Sequence, residues 1–150
     1  MRRVDLSDVH CYLALNGRLA TAGQPTPEQL IRVARAGYRV VINLATHDSA
    51  GALAAEAVLV KSLGMDYIHI PVRWDAPSPA DFALFGAAMA RYRREALFVH
   101  CIANKRVSVF VMLHRILHLG WPLTLAQGDL WHVWQPEGVW QAFIERVVGS

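Results

Sequence analysis

The order of apolar and polar residues predicts short strands that alternate with helices along the chain. Residues 12–15 and 19–22 are short apolar segments around an Asn16-Gly17 turn, a pattern typical of a β-hairpin. Segments rich in β-branched residues predict further, buried strands at 38–44, 66–72 and 96–99. Segments of helical composition predict helices at 27–36, 50–63, 79–95, 107–117, 123–134 and 137–148.

The first of these helices has clear end signals. Thr26, Pro27 and Gln29 form a capping-box pattern at its start, and Gly37 is placed to end it. Strands and helices then alternate along the rest of the chain. This βαβ pattern predicts a single α/β domain over residues 1–150, with a mostly parallel central sheet flanked by helices.

In sheets of this kind, ligands bind outside the carboxyl ends of the strands. The sequence places three loops at such ends: one after Leu44, one after Val72, and one that starts at Cys101. These three loops are therefore predicted to converge on one site.

The loop that starts at Cys101 is the most informative segment of the chain. It reads His100-Cys101-Ile102-Ala103-Asn104-Lys105-Arg106-Val107-Ser108 and separates a predicted strand from a predicted helix. Unpaired N–H groups and the dipole at a helix start favour a bound anion and the thiolate form of a cysteine. A lone cysteine in an apolar segment is more often a buried hydrophobe. The polar and cationic neighbours of Cys101 favour an anion site instead.

This segment resembles the signature loop of the cysteine-based protein tyrosine phosphatases, especially the compact dual-specificity type. That loop reads His-Cys, five further residues, Arg, and then Ser or Thr. Cys101 and Ser108 match it in register, but Asn104 stands where Gly is usual. Val107 stands where the family has its arginine, and Arg106 comes one residue early.

Other segments resemble a bacterial branch of phosphatase-like domains whose loops read His-Cys-x-x-Asn-x-Arg-x-Ser. These segments are Ala20-Thr21-Ala22-Gly23-Gln24-Pro25-Thr26, Val40-Val41-Ile42-Asn43-Leu44 and Tyr67-Ile68-His69-Ile70-Pro71-Val72. The resemblance covers nearly the whole chain. It implies a dual-specificity-phosphatase-like fold and a phosphorylated substrate, either a protein or a small molecule.

The resemblance also implies a role for each residue of the loop. Cys101 is the expected nucleophile, and the Ser108 hydroxyl is expected to hydrogen-bond the thiolate as it departs in the second step. If the loop is one residue tighter than usual, Arg106 grips the phosphate; if not, Val107 takes that place and Arg106 points aside. The phosphate cradle is expected to be the backbone amides of Ile102, Ala103, Asn104, Lys105, Arg106 and Val107.

A phosphatase also needs an acid to protonate the leaving oxygen. Asp75 is the expected acid, because it follows a predicted strand closely and precedes the cysteine by a few tens of residues, as in the related phosphatases. Asp81 suits the third position of a helix and is more simply a capping residue. Asp48, on the loop after Leu44, is a more distant choice.

Composition narrows the class of protein. A hydrophobic fraction of 54% in 150 residues excludes a disordered chain and fits one domain with a full core. No apolar run reaches the about 18 residues of a membrane span, and the N-terminus does not resemble a signal peptide. Cys11 and Cys101 form no disulfide framework, so a reducing cytoplasm is expected. The net charge of +3 suits anionic substrates, but the basic residues do not form a nucleic-acid-binding pattern.

The histidines do not indicate a metal site. His114 and His118 are four residues apart on a predicted helix, but no carboxylate or third ligand stands near them. A polar stripe is the simpler interpretation. No metal and no other cofactor is expected, and no pattern in the chain indicates an oligomeric state.

Two alternatives to a phosphatase stay open at this point. The displaced arginine is compatible with a phosphate-binding module that has little turnover. Rhodanese-like sulfurtransferases also place a cysteine between a strand and a helix, in a shorter loop, although their strand pattern matches this chain less well.

Overall fold

A computed structural model describes residues 4–149 of the chain. Within this range the chain forms five strands and six helices in the predicted order. The strands are β1 (Leu13–Ala14), β2 (Leu19–Ala22), β3 (Val40–Asn43), β4 (Asp66–His69) and β5 (Leu97–His100). The helices are α1 (Pro27–Arg35), α2 (Glu56–Ser62), α3 (Pro79–Arg91), α4 (Lys105–Leu119), α5 (Leu123–Val133) and α6 (Gly138–Gly149).

The strands form one sheet in the order β1-β2-β5-β3-β4. Strand β1 pairs antiparallel with β2, and the other pairs are parallel, which confirms the predicted α/β fold with a mostly parallel sheet. The parallel strands end in register, with Ala22, His100, Asn43 and His69 side by side. The loops that follow these residues therefore leave the sheet at one edge.

The two faces of the sheet bury different helices because strand side chains alternate between them. Val41 and Phe98 pack on one face with apolar residues of α1 and α2. Val40, Ile42 and Val99 pack on the other face with α3, α4, α5 and α6. Every residue from 106 to 115 of α4 is buried, which explains why its sequence is apolar on nearly all sides.

Local signals start and stop the helices largely as predicted. Thr26 accepts a hydrogen bond from the Gln29 amide, and the Gln29 side chain bonds back to the Thr26 amide, so the capping box forms. At the start of α3, the Asp81 amide donates to the Ser78 hydroxyl at 3.1 Å. Helix α4 ends before Gly120, which adopts a left-handed φ of 73°. In the range 4–149, no helix is both long and apolar enough to cross a membrane.

Three helices, α2, α3 and α4, differ from the prediction by more than one residue at a boundary. Helix α2 begins at Glu56 rather than at residue 50, because the preceding segment turns at Ser49 and Gly51, where Gly51 has φ of 89°. Helix α3 ends at Arg91, before residue 95. Helix α4 begins at Lys105, two residues early, directly after a left-handed residue.

The interpretation of His114 as part of a polar stripe is wrong. His114 lies on α4 with its side chain buried, and its ring packs edge-on against Phe85 at 6.0 Å between centroids. Burial lowers the pKa of His114 to about 4, with smaller contributions from the charges of His118 and Arg115.

Candidate active site

The three loops predicted to converge do meet at the carboxyl edge of the sheet, around an open cleft of about 460 Å³. The loop after β3, the loop after β4 and the loop after β5 each supply part of its wall. The lining residues are Thr46, Asp48, Ser49, Ala50, Arg73, Trp74, Asp75, Ile102 and Arg106. The cleft thus combines cations, carboxylates and hydroxyl groups beside the cysteine-containing loop.

Cys101 directly follows β5 and is almost wholly buried, with 1% of its surface exposed. Its amide donates a hydrogen bond to the Ala22 carbonyl at 3.3 Å, which continues the pairing of β5 with β2. The next residue, Ile102, reaches the cleft wall. The thiol therefore lies at the base of the loop rather than on the open surface.

Asn104 allows the loop to turn into helix α4. Its φ of 64° is left-handed, a conformation that Gly adopts freely and that Asn tolerates better than most other residues. The Asn104 side-chain amide donates to the Cys11 carbonyl and to the Thr21 hydroxyl, both at 3.0 Å. These bonds explain how Asn can occupy the position where related loops have Gly.

The segment after β2 packs closely against the loop that starts at Cys101. A Cβ atom placed on Gly23 would lie 2.3 Å from the Ile102 carbonyl oxygen, so only glycine fits there without a shift of backbone. The next amide, that of Gln24, donates to the same Ile102 carbonyl at 3.0 Å. Sequence reasoning noted this Gly-Gln pair only as part of a resemblance and did not assign it a role.

The start of α4 supplies unpaired N–H groups to the loop. Lys105, Arg106 and Val107 are the first three residues of the helix, and first-turn amides have no acceptor within their own helix. The amide of Ser108 is the first to be paired, and it donates to the Asn104 carbonyl at 2.9 Å. Within the expected phosphate cradle, the amides of Lys105, Arg106 and Val107 therefore make no hydrogen bond inside the helix.

Arg106 spans the gap between the cysteine loop and the two neighbouring loops. Its guanidinium donates to the Val72 carbonyl at 2.8 Å and to the Ser49 hydroxyl at 3.3 Å. The side chain is 6% exposed but still forms part of the cleft wall. Arg106 thus places a fixed positive charge at the cleft.

Val107 and Ser108 lie away from the cleft. Val107 is fully buried in the core between α4 and the sheet. The Ser108 hydroxyl donates to the Lys105 carbonyl at 2.9 Å, within the first turn of the helix. The structure therefore brings Asp75 and Arg106 to one cleft, whose lining includes neither the buried Cys101 nor Ser108.

Asp75 is exposed on the loop after β4. Its carboxylate accepts a hydrogen bond from Arg73 at 3.1 Å, and both side chains are mostly in solvent. The carbonyl of the preceding residue, Trp74, accepts a hydrogen bond from the Trp140 indole N–H at 2.8 Å. The Trp74 ring also packs 5.4 Å from the Trp134 ring, so the base of this loop is anchored to the last two helices.

Asp48 is a second carboxylate in the cleft. A hydrogen bond from Thr46 lowers the pKa of Asp48, and the charges of Arg73 and Arg106 act in the same direction. Asp48 is therefore held as a carboxylate, which makes it a poorer proton donor near neutral pH.

This loop-and-sheet geometry agrees with a known family. Residues 12–117 match the family model described as Beta-lactamase hydrolase-like protein, phosphatase-like domain. The chain belongs to this family.

Two curated relatives show the same relationship. Both are called Beta-lactamase hydrolase-like protein, from two strains of Xylella fastidiosa, and each is 31% identical over 106 residues, or 69% of this chain. This chain spans about a quarter of the length of those relatives, because the match covers 24% of each.

Solved structures show the same fold over nearly the whole phosphatase-like domain. A DUF442 protein from Shewanella putrefaciens CN-32 is 32% identical, covers 96% of this chain and 95% of its own, and gives a TM-score of 0.86. TpbA from P. aeruginosa, solved in complex with pTyr, is 17% identical and covers 87% of this chain and 76% of its own, with a TM-score of 0.67. The predicted membership of a phosphatase-like family is thus confirmed, and the fold is shared with TpbA.

A buried polar network lies directly beneath the loop of this phosphatase-like domain, and sequence reasoning missed it. Glu56 at the start of α2 and His100 at the end of β5 form an ion pair, with Nε2 and Oε2 2.6 Å apart. Gln24 donates to the other Glu56 oxygen at 2.6 Å. Residue 56 lies inside the predicted helix 50–63, and a Glu in a helix is usually solvated. No local signal therefore indicated that Glu56 is buried.

Proposed function

We propose that this domain is a cysteine-dependent phosphatase that hydrolyses phosphate monoesters, such as phosphotyrosine, through a phosphocysteine intermediate. The observation that carries the proposal is the position of Arg106: its guanidinium lines the cleft beside the loop that begins with Cys101. The family match and the structural neighbours support phosphatase chemistry rather than sulfur transfer.

In the first step, the Cys101 thiolate attacks phosphorus as the bond from phosphorus to the leaving oxygen breaks. The negative charge that spreads over the three equatorial oxygens needs donors already in place. Backbone amides of residues 102–107 are the proposed donors, and the Arg106 guanidinium is the proposed neutralising charge. This assignment is supported by the free first-turn amides of α4 and by the anchoring of Arg106 at Val72 and Ser49.

Asp75 is the proposed general acid for the leaving oxygen. It lies on the cleft wall formed by the loop after β4, within the same cleft as Arg106. Asp48 lines the same cleft, and the hydrogen bond from Thr46 that lowers its pKa also engages the carboxylate, so it is the second choice for this role. In the second step, water attacks the phosphocysteine, and Asp75, now a carboxylate, accepts a proton from that water.

Ser108 is proposed to assist the second step by donating its hydroxyl hydrogen to the departing Cys101 thiolate. In the structure described here this hydrogen is donated to the Lys105 carbonyl. The role therefore requires the hydroxyl to rotate, a change that needs no backbone movement. Since the mechanism needs a free thiol, we also propose that the domain works in a reducing, cytoplasmic environment.

The experiment is a comparison of Cys101→Ser with Cys11→Ser in the hydrolysis of an aryl phosphate. Cys101→Ser should abolish turnover without loss of the fold, because a hydroxyl has no anionic form near neutral pH. Cys11→Ser should remain active, since Cys11 lies outside the cleft wall. Rapid quenching of the parent enzyme with substrate should trap a phosphate on Cys101, detected by mass spectrometry. Turnover by Cys101→Ser would refute the covalent mechanism.

A second candidate is a phosphate-binding module with little turnover. Its support is that Val107, at the position of the family's arginine, is buried, while Arg106 already bonds two protein oxygens. Tight binding of a phosphorylated ligand by the parent chain without hydrolysis would favour this candidate over the enzyme.

A further inference from the structure

The pair formed by Glu56 and His100 is unusual in its burial. Among the ion pairs within residues 4–149, it is the one in which both side chains are almost fully buried, with exposures of 0% for His100 and 2% for Glu56. Burying two charges is costly unless they are paired and their remaining hydrogen-bonding groups are satisfied. Neither residue lines the cleft, and the proposed chemical steps use neither. A role other than direct catalysis is therefore needed to explain this pair.

The His100 ring is held through both of its nitrogens. Nδ1 lies 3.0 Å from the Cys101 carbonyl oxygen, which can only accept, and Nε2 lies 2.6 Å from a Glu56 oxygen. Burial alone raises the pKa of Glu56, but the hydrogen bond and charge of His100 and the hydrogen bonds of Gln24 and Tyr67 outweigh it, so the pKa is lowered.

Glu56 also contacts Gln24, the second residue that bonds the loop. Its second carboxylate oxygen accepts from the Gln24 side chain at 2.6 Å, and the Gln24 amide donates to the Ile102 carbonyl at 3.0 Å. The Glu56 carboxylate thus contacts both His100 and Gln24. His100 in turn contacts the Cys101 carbonyl, and Gln24 bonds the Ile102 carbonyl.

These two bonds determine where the loop amides point. In a trans peptide the C=O and the following N–H point in opposite directions, and the chain contains no cis peptide within its described range. Because the Cys101 carbonyl points at His100, the Ile102 amide points away from it. The Ile102 carbonyl points at Gln24, so the Ala103 amide likewise points away from Gln24. Both amides belong to the proposed phosphate cradle.

We propose that Glu56 is a positioning residue for the active site: through His100 and Gln24 it holds the amides of Ile102 and Ala103 toward the anion that the loop binds. This inference rests on the proposed function for the identity of the anion. Glu56 itself does not touch the substrate. Its loss should therefore change how the loop holds an anion and how readily the thiolate forms, beyond any change in stability.

The test compares Glu56→Gln with the matched control Glu28→Gln, both in a Cys11→Ser background so that Cys101 is the sole thiol. Glu28 lies exposed in the first turn of α1, so its variant makes the same change of charge away from the loop. The readouts are the pH midpoint of Cys101 alkylation by iodoacetamide and the protection that inorganic phosphate gives against it. Neither readout depends on turnover. Because Cys101 is so little exposed, the midpoint is compared rather than the absolute rate.

In Glu56→Gln, an NH2 group replaces one of the two carboxylate oxygens, of which one contacts Gln24 and the other His100. One contact then becomes donor against donor unless the facing His100 nitrogen carries no proton. We expect the alkylation midpoint to rise by about one pH unit and phosphate protection to weaken at least tenfold, with Glu28→Gln unchanged. Titratable groups around the pair and the loop, which include Tyr67, His10, Lys105 and Arg106, are the same in both variants. The midpoint difference therefore reports the Glu56–His100 pair.

Glu56→Asp guards against a variant that fails to fold, since it keeps the charge and shortens the side chain by one methylene. It should give intermediate values for both readouts. The deciding variant is Glu56→Gln, or Glu56→Asp if Glu56→Gln does not fold. If that variant has a lower Tm but keeps the parent's alkylation midpoint and phosphate affinity, the role of Glu56 is purely structural and the inference is overturned. If the parent neither binds phosphate nor turns over substrate, the proposed function fails, and the alkylation midpoint alone still decides the role of Glu56.

Discussion

The guanidinium of Arg106 donates a hydrogen bond to the backbone carbonyl of Val72 at 2.8 Å. This bond ties the first turn of α4 to the loop after β4, which also carries Asp75. Because Ser49, on the loop after β3, accepts a second bond from Arg106, one side chain connects all three loops of the cleft. The arginine that stands one residue early in the loop is therefore fixed at the cleft.

Arg106→Lys is expected to lower kcat/KM for an aryl phosphate by on the order of 10²-fold or more. An ammonium cannot reproduce the planar fork that bonds Val72 and Ser49 and still faces an anion. The measurement is steady-state kinetics, with circular dichroism to confirm the fold. Lys105→Arg is a matched control, because it exchanges the same two side chains at the neighbouring position and should have a small effect.

Val107→Arg is expected to destabilise the fold by several kcal/mol rather than to raise activity, because Val107 is fully buried in the core. Thermal unfolding measures this directly. If Arg106→Lys has no effect and Val107→Arg increases turnover, Arg106 is a bystander and the native domain is a weak phosphatase.

Asp75→Asn should slow alkyl phosphates far more than p-nitrophenyl phosphate. Only the poor leaving group needs a proton, and general acid catalysis contributes about 10²–10⁴-fold. Asp48→Asn is the comparison, since Asp48 lines the same cleft but is held ionised. Equal slowing of both substrates by Asp75→Asn would remove it from the acid role, and a selective loss in Asp48→Asn would assign that role to Asp48.

Gly23→Ala should lower activity by at least tenfold. Its new methyl group would lie 2.3 Å from the Ile102 carbonyl oxygen, and backbone must move to relieve this overlap. A stability loss of about 1–3 kcal/mol should accompany it. Gly17→Ala is the control, because nothing lies within 4 Å of its Cβ position. Unchanged kinetics in Gly23→Ala would show that the contact between the segment after β2 and the loop does not shape the site.

His114 should make the domain sensitive to mild acid. Its pKa is about 4 when folded, against about 6.5 in an unfolded chain, so between these values only the unfolded state takes up the proton. The free energy of unfolding should therefore fall as the pH drops from about 6.5 to 4, by roughly 2–3 kcal/mol from this residue. Urea unfolding at several pH values measures this loss.

His114→Leu should remove that part of the acid sensitivity, because leucine fills the buried position without a titrating group. The exposed His132, changed to Leu in the same way, should leave the pH dependence of stability as it is in the parent. An unaltered pH dependence in His114→Leu would show that His114 titrates alike in the folded and unfolded states.

The sequence alone determined the order of the elements and the position of the loop that starts at Cys101. Local signals were sufficient for this: the β-branched runs became strands, and the Thr26 capping box started α1 where predicted. The polar segment that follows β5 indicated an anion site at Cys101, which stays a prediction. Local rules failed near residue 50, where a turn around Gly51 interrupts a helical composition.

Only the tertiary structure decided what surrounds the loop. Strand β5 lies between β2 and β3, which brings Gly23 and Gln24 against Ile102 and places the start of α2 beside His100. Residues far apart in the chain meet through these pairings, and local propensity carries no information about such contacts. Nothing in the local sequence distinguishes Glu56 from a solvated helix residue. It is buried against His100 because the order of the strands places His100 beside it.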